Sequence, residues 1–88
     1  MSAQSLLSKY VKNSEIALSE IKFKQELQSL RIDQVYEIVD YAKRYLSDAK
    51  YYGEKQQYET ALASVAYCEG ILDALRLLGL VEFKWPQA

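Results

Sequence analysis

Histidine is absent from this chain, cysteine occurs once, proline once and glycine three times in 88 residues. Each scarcity removes a class of chemistry. Without histidine there is no neutral-pH proton shuttle of the usual kind and no Glu-x-x-His pair to build a carboxylate di-metal bundle. A lone Cys68 forbids an internal disulfide, and its apolar neighbours Ala66, Ile71 and Leu72 mark it as a buried thiol rather than a nucleophile. Gly53, Gly70 and Gly79 are too scattered to form a phosphate-cradling loop, and no serine sits in a Gly-x-Ser-x-Gly elbow. The expectation is a non-enzymatic chain with no cofactor and no metal. Carboxylates alone, Glu69 and Asp73 helped by Asp40 and Asp48, make a weak case for magnesium, which usually borrows substrate phosphates.

Charge of one sign is also lacking. Eleven Lys and Arg stand against twelve Asp and Glu, a net charge of -1. Nucleic-acid binders concentrate positive charge to neutralise phosphates, so nucleic acid is not the expected partner. The alternative worth carrying is an accessory RNA- or nucleoprotein-associated domain using Lys9, Lys12, Lys22 and Lys24. No apolar run reaches the ~18 residues of a membrane span, and the start lacks the pattern of a signal peptide. The chain therefore reads as cytoplasmic, with no membrane partner.

What the sequence does contain is helical periodicity. Half of the residues are hydrophobic and 26% are charged, the balance of one small globular domain. Leu7, Val11, Ser14, Leu18 and Ile21 fall on one stripe of a helix expected over about 5–24. Between Gln25 and Ile32 the pattern fades, which favours a connection. Asp33 suits the N-cap of a second helix over about 34–53. Its apolar face is Val35, Ile38, Val39, Ala42, Tyr45, Leu46 and Ala49, with Glu37, Asp40, Lys43, Arg44, Ser47 and Lys50 turned away. Gly53 is the local stop signal, and a third helix follows over about 57–78. Gly79 is placed to end it in the left-handed conformation, with Leu80 folding back on Leu75. Pro86 forbids further helix, and Phe83 and Trp85 in the tail, 80–88, are expected across the open end of the bundle. No stretch alternates with a period of two, so no strand is expected. The fold class is all-α, an up-down-up three-helix bundle.

The third helix raises the functional question. Ala61, Val65, Cys68, Leu72 and Leu75 make its core face. Glu69, Asp73 and Arg76 gather on one flank, while another flank presents Ala63, Tyr67, Ala74 and Leu78. A helix apolar over so wide an arc implies neighbours on two sides, a partner chain, or both. On the second helix Tyr41, Tyr45, Asp48 and Tyr52 recur at four, three and four, an aromatic line that suits a bundle wall or an interface. Tyr41, Tyr45, Asp48, Tyr52, Glu69, Asp73 and Arg76 are accordingly the candidate partner-binding residues. Should the two flanks adjoin, the phenols would donate to the carboxylates. The expected role is a protein-interaction or assembly module, binding a protein partner or itself as a homodimer.

The span from Tyr45 to Leu80, YLSDAKYYGEKQQYETALASVAYCEGILDALRLLGL, resembles the archaeal domain-of-unknown-function family 357. The resemblance rests on Asp48 and Ala49, on Tyr58, Ala61 and Leu62, on Tyr67, and on a closing Gly70, Leu72, Asp73, Ala74, Arg76 and Gly79. That family often has Gly-Asp where this chain has Gln56 and Gln57, which leaves the turn position open and would carry the second helix slightly past Gly53. The resemblance implies a three-helix bundle with no assigned activity. Residues 1 to 32 match it only as an amphipathic helix.

Overall fold

The computed structural model describes residues 2–24 and 32–86. Helix α1 spans Ala3–Glu20, strand β1 Lys22–Phe23, helix α2 Ile32–Glu54, helix α3 Tyr58–Leu77 and strand β2 Val81–Glu82. The three helices pack as the expected all-α, up-down-up bundle. α1 begins in a reciprocal cap: Ser2 Oγ accepts from the Ser5 N–H at 3.1 Å, and the Ser2 N–H donates to Ser5 Oγ at 3.1 Å.

The four-three spacings of α2 and α3 are honoured residue for residue. Val35, Val39, Ala42, Leu46 and Ala49 are buried on α2, and Ala61, Val65, Cys68, Leu72 and Leu75 on α3. α1 departs from its expected stripe. Leu7, Ser14 and Ala17 are its buried residues, while Val11, Leu18 and Ile21 are half-buried against the same core. Ile38 is exposed and Tyr45 only half-buried, so the apolar face of α2 is narrower than the sequence suggests.

The first helix stops at Glu20, four residues short of expectation, because Ile21 turns to an extended conformation. The chain then enters a strand that the sequence did not announce. Phe23 pairs with Val81 and Lys22 with Glu82 in an antiparallel ribbon, extended by the Lys24 N–H donating to the Leu80 carbonyl at 3.2 Å. Two-residue strands are too short to display an alternating pattern, so their formation depends on the partner strand far along the chain. Lys24 Nζ also meets Glu82 Oε2 at 3.1 Å.

Asp33 lies inside the first turn of α2 rather than at its cap, where its carboxylate still meets the positive end of the helix dipole. The connection expected from Gln25 falls outside the described residues as far as residue 31.

Gly53 does not stop α2. It lies in the last turn, where a Cβ would come 2.9 Å from Leu7 Cδ2, so its missing side chain is what lets α1 approach. The left-handed position falls instead on Gln56, at φ 63°. There the Gln57 N–H donates to the Tyr52 carbonyl at 2.9 Å and the Gln56 N–H to the Gly53 carbonyl at 3.0 Å, a Schellman motif. A non-glycine residue in this conformation costs roughly 1 kcal/mol. Gly79, at φ 77°, closes α3 in the same way, with the Leu80 N–H donating to the Leu75 carbonyl at 3.0 Å as expected.

Candidate functional site

The candidate residues divide into two groups on opposite sides of the α2–α3 pair. Tyr45 stacks on Tyr67, ring centroids 5.1 Å apart. This places the tyrosine line of α2 beside the Tyr67 flank of α3. Lys50, about 140° around α2 from Tyr45 at 100° per residue, pairs with Glu15 of α1, and Leu7 packs on Gly53 on that same side. α1 therefore fills one groove of the helical hairpin and leaves the other uncovered. Tyr41, Tyr45, Asp48 and Tyr52 line the uncovered side. Glu69, Asp73 and Arg76 sit around the helix from it.

Because the two flanks do not adjoin, no phenol serves Asp73. Its donors come from the tail and from its own helix. Asp73 Oδ1 accepts from Trp85 Nε1 at 2.9 Å and from Arg76 Nη2 at 2.8 Å and Nε at 3.1 Å. The Trp85 bond, then the Arg76 bonds, hold the Asp73 carboxyl below the usual carboxylate range. Glu69 is shifted the other way, first by burial and then by the Asp73 charge. Trp85 in turn stands edge-on to the buried Phe83 at 4.9 Å, so the acidic flank is occupied by the chain's own tail. Ala66, Glu69, Gly70, Asp73 and Trp85 border a shallow hollow of about 420 Å³ there.

The Asp73 shift carries a pH signature. A carboxyl whose folded pKa is depressed contributes stability above its unfolded value, and that contribution is lost as pH falls through the folded one. Asp73 is about 41% exposed, so solvent screening keeps the effect small. Asp73→Asn should lower stability at neutral pH by about 0.5–1 kcal/mol, part of the loss being offset by relief of Glu69. It should also flatten the fall in stability below about pH 4, where an unfolded Asp takes up its proton. Chemical denaturation across an acid series checks both.

Cys68 is fully buried, and burial, with Glu69 adding and the Ser14 hydroxyl opposing, pushes its thiol up to about 11. It is a packed thiol at neutral pH. Ser14 Oγ is itself buried with no partner of ordinary hydrogen-bond geometry, so its pull on the thiol acts through a looser contact.

α3 carries the feature that sequence reasoning only half reached. From Ala63 to Leu78 its solvent-exposed residues are Ala63, Ala66, Tyr67, Gly70, Ala74, Leu77 and Leu78, none of them charged. Its three charged residues over that span, Glu69, Asp73 and Arg76, are half-buried. Tyr67, Leu77 and Leu78 are 64%, 72% and 71% exposed. Ala63, Ala66, Tyr67, Gly70, Ile71 and Ala74 border an open hollow of about 590 Å³. Ala63, Tyr67, Ala74 and Leu78 were legible as a second apolar flank. Ala66 falls by periodicity on the flank of Glu69, Asp73 and Arg76, and with Gly70 it borders both that flank's hollow and the open one.

One family model covers most of the chain: that described as protein of unknown function (DUF357) matches residues 9–81. The chain belongs to this family. The DUF357 match reaches back through most of α1, well beyond the span from Tyr45 that carries the resemblance in sequence, and leaves Leu7, Phe83 and Trp85 outside it. No curated protein and no solved structure matches the chain. Among the described residues no helix is long and apolar enough to cross a membrane.

Proposed function

We propose that this DUF357 protein is a non-enzymatic protein-interaction or assembly module, docking through the uncovered side of its α2–α3 hairpin. The observation behind this reading is the inverted surface of α3, whose exposed residues from Ala63 to Leu78 are apolar while its charges are half-buried. Scattered exposed apolar residues are ordinary, but a contiguous uncharged helix face beside Tyr41 and Tyr45 is the composition of an interface. The acidic flank supports the reading less, since Trp85 already satisfies Asp73. The RNA alternative loses ground on its own residues: Lys22 and Lys24 lie beyond α1, and Lys24 is paired with Glu82.

Position-specific photo-crosslinking tests the proposal. A benzoylphenylalanine at position 67 should yield discrete adducts in cells, and one at position 43, on the side of α2 turned from the open face, should not. Gly70→Arg should abolish the adducts with the fold intact, because a Cβ at Gly70 meets nothing within 4 Å. Adducts indifferent to position, or none at either, would sink the reading.

A further inference from the structure

We infer that the occupant of the open face is a second copy of this chain, related by a two-fold axis that crosses the hairpin at the level of Leu46 and Ala66. This rests on the interaction reading above and names its partner. Along the rim of α2 that borders the tyrosine line stand Glu37, Arg44 and Asp48, all exposed, with exposed Lys55 in the turn just beyond. Among the described residues none of the four has an ion-pair partner within the chain. Their signs run minus, plus, minus, plus, and they lie symmetrically about Leu46: Glu37 is as far before it as Lys55 is after, and Arg44 as far before it as Asp48 is after. Reversal about that point therefore sets each of these four charges against its opposite.

An isologous dimer requires such a pattern, because each residue must suit its symmetry mate's surroundings. A different protein imposes no such requirement on this chain. Two antiparallel copies of α2 would bring Arg44 to the partner's Asp48 and Glu37 to the partner's Lys55. Tyr41 and Tyr52 exchange places to within half a residue of the same centre. Arg44 is already drawn toward this side, its guanidinium 4.9 Å from the centre of the Tyr41 ring.

α3 supplies the independent check. The Tyr45–Tyr67 stack sets the level of one helix against the other, with Leu46 about level with Ala66. The small residues Ala63 and Gly70 straddle that level to within about one residue, or ~1.5 Å. Two α3 helices could then cross closely where side chains are smallest, with each Tyr67 beside the other copy's Ala66. The open face is about 27 Å long from Glu37 to Lys55 and about two helix diameters wide. That area is within reach of the ~600 Å² per partner at which specific interfaces begin.

Sedimentation equilibrium over a wide concentration range, with charge reversals, tests the inference. The wild-type chain should pass from the mass of one copy to that of two. Arg44→Asp and Asp48→Arg should each weaken the dimer by about tenfold or more, through repulsion across the axis. The combined swap should restore the wild-type affinity, which no effect on folding alone would do, and both positions are exposed. A chain that stays monomeric, or a dimer indifferent to both reversals, overturns the inference. If crosslinks at position 67 persist in a monomeric chain, the second copy is excluded while the docking face stands. If they also vanish, both fall.

Discussion

Leu72→Ala is expected to lower the stability of the fold by about 3 kcal/mol and its melting temperature by about 12–24 °C. Among the described residues Leu72 is the largest side chain with no exposure at all. It lies on α3, which packs against both α1 and α2. Removing its terminal carbons forfeits their transfer energy and leaves a cavity that three tightly approaching helices cannot collapse around. Domains of this length are stabilised by only about 4–13 kcal/mol, so the loss is a large share of the total. Leu77→Ala, at a position 72% exposed, should fall within about 0.5 kcal/mol of wild type. Thermal and urea unfolding followed by circular dichroism measure both. Equal costs at the two positions would mean that the assigned inner face of α3 is wrong.

The contrast between Leu72 and Leu77 shows where the sequence was readable. For α2 and α3 the spacing named the buried residues, because large aliphatic side chains at four-three intervals leave little freedom in which arc faces inward. α1 was less legible. Its central contacts are Ser14 and Ala17, small residues whose burial comes from close helix approach rather than from hydrophobicity. Gly53 misled for a related reason: glycine signals a helix end and a close contact equally well, and here Leu7 takes the space. Gln56 then adopts the left-handed turn without any residue-type signal to mark it.

The placement of the candidate site was undetermined for a different reason. Periodicity assigns residues to flanks of a helix, but not which flank of the α2–α3 pair α1 will cover. α1 could have packed on either side of the α2–α3 pair, and the tyrosine line and the acidic flank stand on opposite sides of that choice. The Glu15–Lys50 and Leu7–Gly53 contacts resolve it. With α1 on the acidic side, the tyrosines become surface and Asp73 receives Trp85. The charges of α3 are thus explained by connectivity: they are the rim under the tail, and the exposed arc is apolar.

Phe83→Ala tests how much that tail contributes and should cost about 3 kcal/mol. Phe83 is 7% exposed and Val81, two residues earlier, is 2% exposed, so alternate residues of the tail point into the bundle end beside the β1–β2 ribbon. These side chains complete a core that α1, α2 and α3 leave open, although Phe83 lies past the last residue of the DUF357 match. The loss should spread along a definite chain of contacts. Without the ring, Trp85 loses its edge-to-face partner, and the indole N–H is no longer held against Asp73. Trp85 is the only tryptophan, so its fluorescence reports this directly: the native emission should shift to the red, and the carboxyl of Asp73 should rise toward its ordinary range. A variant with wild-type stability and unshifted emission would show that the tail lies on the bundle without closing it. Phe83→Leu, which keeps much of the buried area but no aromatic edge, separates the two contributions. It should retain most of the stability while still releasing part of the hold on Trp85.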